Sequence, residues 1–458
     1  MNLLPKPPVT EGSKSLRIVQ AAGWYYPESL GGTEVYVAGL ARRLQDAGHE
    51  VRVAAPDPGG VSREYVHGGI PVFRYPIPAA PTRAEAQSEV PARGAERFHA
   101  WLAGQRPDVV HFHTFVTGLG PFEIAAARAA GARTVATTHS SSLGWICQRG
   151  TLMLWGTEPC DGLCRPARCA ACDLQGRGLP RALARAVGAL PPRAGRHLGG
   201  LPGRAGTALG MSDLIARNRA RQRQVLADLD RFVVLTGWAL EAVAANGFPR
   251  EKLALNRLGH THGEVRRKPG PDERPSTPPV TVGYLGRFDP IKGVYDLVAA
   301  VAGLPAGVPL RLELRGPVRT AAERAVVAEL EGLAAGDPRI SFAPAVPPGA
   351  VLEVLAGYDV LACPSLCHEG GPTVAVEAHA VGTPVVGSRL GGLAELVTDG
   401  VSGRLVAPGD RAALAAALRE VAEDPAGTLD RWRRGLPAAR TMDQVAADYL
   451  ALYAGGTP

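Results

Sequence analysis

Short apolar runs alternate with amphipathic stretches along most of the chain. Residues 16–20 form an apolar run, and a loop ending in Gly31-Gly32-Thr33-Glu34 follows. A helical pattern then runs to about Ala47, with Thr33 suited to the N-cap and Gly48 to the C-cap. Further runs at 51–54, 109–113, 134–138 and 232–235 read as strands, and Gly237-Trp238 opens another helix. A second series begins at 280–285 and continues at 310–314, 339–342, 360–362 and 384–387, with helices between. The runs are continuous, as expected of parallel strands covered on both faces. The pattern predicts an α/β protein with doubly wound sheets.

At 458 residues the chain suits two domains. The expected division is 1–263, a linker rich in Arg, Lys and Pro at 264–279, a second domain at 280–436, and a terminal segment at 437–458 with a helix over about 443–453. An insertion at about 145–223 interrupts the first domain. It carries five of the seven cysteines and then an Arg-rich, Gly- and Pro-containing stretch.

The richest chemistry lies in Pro364-Ser365-Leu366-Cys367-His368-Glu369-Gly370-Gly371-Pro372-Thr373, with Glu377 beyond it. Pro372 fits a first helical position, and Gly382 with Pro384 ends the helix, which predicts a helix over 372–381. Such a start presents backbone N–H groups and the positive end of the dipole to an anion. Glu369 and Glu377 are acceptors beside it, so a ligand with both hydroxyls and phosphates suits the stretch. Arg287 and Lys292, in Gly286-Arg287-Phe288-Asp289-Pro290-Ile291-Lys292-Gly293, end the strand at 280–285 and can meet a diphosphate. His111 and His113 alternate at the end of one strand, where polar residues face a cleft, and His139 follows the next. Asp228-Leu229-Asp230 reads as a charged helix end. GxGxxG is absent.

The run Pro-Ser-(x)3-Glu-Gly-Gly-Pro-(x)4-Glu-Ala-(x)3-Gly-Thr-Pro-Val-Val, with Gly391-Gly392-(x)2-Glu395 and Asp399-Gly400-(x)2-Gly403 after it, resembles the signature of the retaining glycosyltransferases of family 4. The resemblance covers nearly all of the chain outside the insertion. It implies a GT-B fold, two Rossmann-like domains facing a central cleft. It also implies transfer of a sugar from a nucleotide-sugar donor, with retention, to a glycan, lipid-linked or small-molecule acceptor. Gly31 and Gly32 would lie over the donor diphosphate, and Arg287 and Lys292 would stabilise it as it leaves. Glu369, Gly370, Gly371, Pro372 and Thr373 would line the donor site. Glu377 would accept from the ribose, Glu369 from the sugar, and His139 would contact the reacting sugar. No catalytic metal is expected. One departure stands out: the family pattern Asn-Gly-Val is replaced by Asn256-Arg257-Leu258-Gly259-His260.

Cys169-Ala170-Ala171-Cys172 and Cys160-(x)3-Cys164 are close cysteine pairs. Clustered cysteines in a reducing compartment bind metal more often than they form disulfides. Cysteine-bearing insertions in similar proteins imply Cys147, Cys160, Cys169 and Cys172 as a structural zinc set. A redox pair, unligated thiols and an iron–sulfur cluster are the alternatives, and Cys164 is spare or replaces Cys147.

Net charge is +7, and ten arginines between residues 177 and 223 face only Asp213. Without aromatic interleaving or a known module, nucleic acid is not the expected partner. An anionic membrane surface or plain solvent suits the patch. No apolar run of signal-peptide or membrane-spanning length appears, so the expected location is the cytoplasm, with contact at the inner membrane face allowed. Two rival functions remain: a glycoside hydrolase, and a non-enzymatic nucleotide-sugar or metal sensor on the same fold. Eight residues on one helix would separate the glutamates by about 12 Å, against roughly 5–9.5 Å in hydrolase pairs.

Overall fold

The computed structural model describes residues 15–29, 31–139, 146–270, 272 and 276–456. The polar N-terminal stretch before residue 15, and parts of the expected linker, lie outside them. Two compact units result. The first comprises Met1–Gln148, Gly162–Arg257 and Met442–Pro458, and the second Arg149–Asp161 and Leu258–Thr441.

In the first unit the strands are β1 (Arg17–Ala21), β2 (Glu50–Pro58), β3 (Arg63–His67), β4 (Ile70–Ile77), β5 (Val109–Phe112) and β6 (Arg133–Thr137). A two-stranded hairpin, β7 (Met153–Leu154) and β8 (Glu158–Pro159), follows and falls in the second unit. Next come β9 (Arg231–Val234) and β10 (Leu253–Leu255). The sheet order is β10-β9-β6-β5-β1-β2-β4-β3, parallel except for β3, which pairs antiparallel with β4. Ile18, Val53, Val110, Phe112, Val135 and Phe232 are buried along it. The β3–β4 hairpin is an element that the apolar pattern did not show. β3 lies at the sheet edge and is largely exposed, so it carries no continuous apolar run.

The second sheet contains β11 (Val280–Leu285), β12 (Leu310–Arg315), β13 (Ile340–Ala343), β14 (Val360–Cys363), β15 (Val385–Ser388) and β16 (Gly403–Val406). All pair in parallel, in the order β13-β12-β11-β14-β15-β16. This is the doubly wound 3-2-1-4-5-6 order. The direction in which successive strands are added reverses between β11 and β14, which opens a crevice at their carboxyl ends. Val282, Leu312, Leu314, Leu330 and Trp432 pack on one side of the sheet. Leu361, Ala375, Ala378, Val385 and Leu393 form another cluster.

The insertion is more ordered than a loop-rich segment. Helices Pro166–Gly176, Arg181–Gly188, Pro192–Leu198, Gly203–Leu209 and Met211–Asp228 fill it. Their arginines are partly paired: Arg177 with Asp173 at 2.6 Å, and Arg217 with Asp213 at 2.9 Å. The stretch 264–279 is fastened to the second unit. The Lys268 N–H donates to Val381 O at 3.0 Å, and Ser276 Oγ donates to Asp430 at 2.7 Å.

Candidate functional site

The second-unit site grows from the two strands that flank the switch point. The loop after β11 carries Arg287 to Gly293, and the loop after β14 carries Pro364 to Pro372. The Leu366 N–H donates to Ile291 O at 2.8 Å, which ties the loops together. Gly293 has φ +72°, and a Cβ there would lie 1.9 Å from Pro364 O, so only glycine permits this approach. Gly391 and Gly392 serve a similar end. A Cβ on either would come within 2.5 Å of Glu369 O or Gly371 N, and the Gly392 N–H donates to Glu369 O at 2.8 Å.

This packing brings Lys292 Nζ to 2.6 Å from Glu369 Oε2. Arg287 is the exposed cation of the site, 3.6 Å from the Asp289 carboxylate. Gly370, Gly371 and Pro372 lead into the helix Thr373–Val381, whose N-terminus no side chain caps. Pro372 is the N-cap, with ψ 121°, and not the first helical residue as expected. Its φ would suit either position, but the extended ψ starts the helix one residue later. Glu377 is buried in that helix, and its Oε1 accepts from His262 Nε2 at 3.0 Å. Burial, with the Glu369 charge, pushes the thiols of Cys363 and Cys367 up to about 12, so neither is a ready nucleophile.

The β7–β8 hairpin joins the same loop. The His368 N–H donates to Thr151 O at 3.1 Å, and Met153 packs with Ile291, Cys367 and Leu390. Thus a segment from the middle of the first-domain sequence shapes the loop that carries Glu369. Its sequence bears no mark of that role.

In the first unit, Gly31 is the N-cap of helix Gly32–Asp46, so Thr33 lies inside the helix and not at its cap. Ser29 Oγ donates to Glu34, whose carboxylate sits against Gly31. His139 follows β6 and meets a buried polar network. Gln20 Nε2 donates to the Tyr453 hydroxyl at 3.3 Å, which leaves Gln20 Oε1 to accept from His113 Nε2 at 2.5 Å. His113 Nδ1 must then accept from His139 Nε2, 3.1 Å away. This leaves His139 Nδ1 as an acceptor. Burial holds its pKa down to about 3, so the ring is neutral. His111 and His113 are fully buried, not cleft-facing as the strand pattern suggested. His111 bridges Tyr453 and Thr137 at 2.7 Å each, and Tyr449 joins Thr137 and Tyr36 at 2.8 and 3.0 Å. The two tyrosines come from helix Met442–Tyr453, far away in sequence.

Among the described residues, the expected zinc set of Cys147, Cys160, Cys169 and Cys172 is not seen assembled. Cys147, Cys164, Cys169 and Cys172 belong to the first unit and Cys160 to the second. Among the described residues, no group of three or more His, Cys, Asp or Glu side chains is arranged to hold a metal ion. Cys169 instead hydrogen-bonds to Cys164, which lowers the Cys164 thiol pKa and raises its own. The Arg165 N–H reaches Cys169 Sγ at 3.3 Å. Asp230, from the lone DxD, accepts from the Thr134 N–H at 2.8 Å and is structural. No helix among the described residues is long and apolar enough to cross a membrane.

Two doubly wound units of this kind define the GT-B glycosyltransferase fold, and solved structures agree. Sucrose-phosphate synthase from Thermosynechococcus elongatus superposes with a TM-score of 0.64 at 20% identity, over 96% of this chain and 98% of that one. Anabaena HepE in complex with UDP gives 0.62 at 16%, over 96% and 100%. The sequence matches the family described as "Glycosyl transferase 4-like domain" over residues 31–259 and "Glycosyl transferases group 1" over 279–424. The chain belongs to this glycosyltransferase family. The D-inositol 3-phosphate glycosyltransferase of Streptomyces coelicolor is 28% identical over 442 residues, 92% of this chain and 85% of that protein.

Proposed function

We propose that the protein is a retaining glycosyltransferase that takes a sugar from a nucleoside-diphosphate donor. The observation that carries this reading is the arrangement at the second switch point. Lys292 and Arg287 stand beside an uncapped helix start, with Glu369 at 2.6 Å from Lys292 and Glu377 buried in the helix. The cations and helix start suit the diphosphate, Glu377 the ribose hydroxyls, and Glu369 a sugar hydroxyl. In the reaction the bond from the anomeric carbon to the diphosphate oxygen breaks. The acceptor oxygen bonds to that carbon on the same face, and its proton passes to the departing diphosphate. Charge grows on the leaving group, so cations placed beforehand act mainly in the transition state. Neutral His139, with Nδ1 as acceptor, is assigned to a sugar hydroxyl. Gly31 and Gly32 are assigned to the diphosphate.

Two facts weigh against a hydrolase. Glu369 is engaged by Lys292 and Glu377 by His262, so neither stands as a free acid or base of a carboxylate pair.

The test is transfer by purified protein from a panel of UDP-, ADP- and GDP-sugars. D-inositol 3-phosphate is the first acceptor to try, after the curated relative, followed by sugar phosphates and lipid-linked acceptors. NMR of the anomeric proton reports retention or inversion. Transfer should persist in EDTA, because side chains and the helix start carry the diphosphate charge. Failure with every donor, or an inverted product, would reject the reading.

A further inference from the structure

We infer that His262 is a positioning residue for the ribose-binding carboxylate, and through it sets the preference of the donor site for ribose over deoxyribose. The inference rests on the donor-site assignment above.

Glu377 is 8% exposed. A carboxylate so buried needs a partner. Among the described residues its side chain has one hydrogen-bond partner, His262 Nε2 at 3.0 Å from Oε1. That contact uses one oxygen and fixes the rotamer. Oε2 is left for the vicinal hydroxyls of a ribose. Without His262 the carboxylate could turn, and binding would have to order it at an entropic cost.

His262 is itself held in place. The His260 N–H donates to Arg440 O at 2.9 Å, and His260 bridges to Thr441. His260 Nδ1 lies 3.1 Å from His262 O, so the ring braces the residue two places on. Leu258 lies against Gly371, where a Cβ would stand 3.3 Å from Leu258 Cδ1. The segment therefore runs past the start of helix Thr373–Val381 and presents its imidazole to the helix's second turn. It occupies the stretch where the family's Asn-Gly-Val pattern is lost, so this chain supplies its own device there.

The experiment measures affinity for UDP, ADP and GDP by calorimetry, takes the tightest of them, and repeats it with its 2′-deoxy form. His262→Ala should weaken the ribonucleotide about tenfold or more, the low end for loss of one hydrogen bond to a charged group. It should barely change the deoxy form, so the ribose preference collapses. His262→Gln, which restores an N–H near the Nε2 position, should recover most of the preference. In a Glu377→Ala background His262→Ala should add less than about twofold, because its route of action is gone. Donor KM should rise while kcat stays close to wild type.

If Glu377→Ala weakens binding but His262→Ala does not, the inference is wrong and the donor site stands. If His262→Ala weakens both nucleotides equally and Gln rescues nothing, the residue only packs the segment and the inference is wrong. If Glu377→Ala and Lys292→Ala both leave binding intact, the donor-site assignment itself fails.

Discussion

Lys292 Nζ and Glu369 Oε2 are 2.6 Å apart, although the two side chains are assigned to different ends of the donor. Both are partly exposed, at 24% and 18%, so the pair is not a buried core bridge. Donor binding must share it or open it. Lys292→Ala should therefore lower kcat/KM about 10²–10³-fold, the range for losing one oxyanion donor. Lys292→Arg should retain part of the activity. Steady-state kinetics with a single donor checks both.

Glu377→Ala and Arg287→Ala should separate in kinetics. The ribose contact exists in the ground state, so Glu377→Ala should raise donor KM with a smaller change in kcat. Arg287 meets charge that grows as the diphosphate leaves, so Arg287→Ala should mainly lower kcat. Full activity in an Arg287/Lys292 double substitution would dismiss the diphosphate role.

The β7–β8 hairpin should matter to the donor although it lies far from the donor loop in sequence. Met153→Ala removes a 2% exposed side chain packed on Ile291, Cys367 and Leu390. The cost should be about 2 kcal/mol, the low end for Met→Ala, because the cluster is small. The loop carrying Glu369 should loosen with it. The expected readout is a lower Tm, a higher donor KM and a smaller Tm gain than wild type shows at the same UDP-sugar concentration. An unchanged donor KM would show that the hairpin does not shape the site.

Stability should fall in acid through buried neutral histidines. Burial, with Arg267 nearby, holds His379 down to about 4, and burial alone does the same for His368. Each binds a proton more readily in the unfolded chain, near pH 6.5. Their contribution is complete above pH 6.5 and is lost as pH falls toward 4. At pH 5 the 1% exposed His379 alone would cost roughly 2 kcal/mol. Thermal unfolding from pH 7.5 to 4.5 should show a falling Tm, and His379→Gln should flatten the slope. An identical slope would remove His379 from the account.

Five of the six strands of the second sheet were legible, because short runs rich in apolar residues mark them, while β16 (Gly403–Val406) was not among those expected. The expected strand at 280–285 matches Val280–Leu285, and the other four lie within one residue of those found. The helix after Pro372, its Gly382 end and the Arg287 and Lys292 loop were legible because glycine and proline mark backbone conformation locally. The exposed β3 carried no such mark. The zinc set was read from clustered cysteines and from insertions in similar proteins, and neither says which unit a cysteine joins. Cys160 follows the hairpin into the second unit.

By itself, the sequence determined most of the buried parallel strands, the helix that follows Pro372 and its Gly382 end, and which charged side chains leave the carboxyl ends of β11 and β14. These depend on neighbours a few residues away. Only the tertiary structure decided the partners: His262 for Glu377, Lys292 for Glu369, Tyr453 for His111, and Met153 for Cys367. Each pair is separated by between 77 and 342 residues. Contacts at such separations are set by strand order, which places distant segments side by side. A buried carboxylate or imidazole then takes whichever partner the order brings within 3 Å or so, because leaving it unpaired costs more.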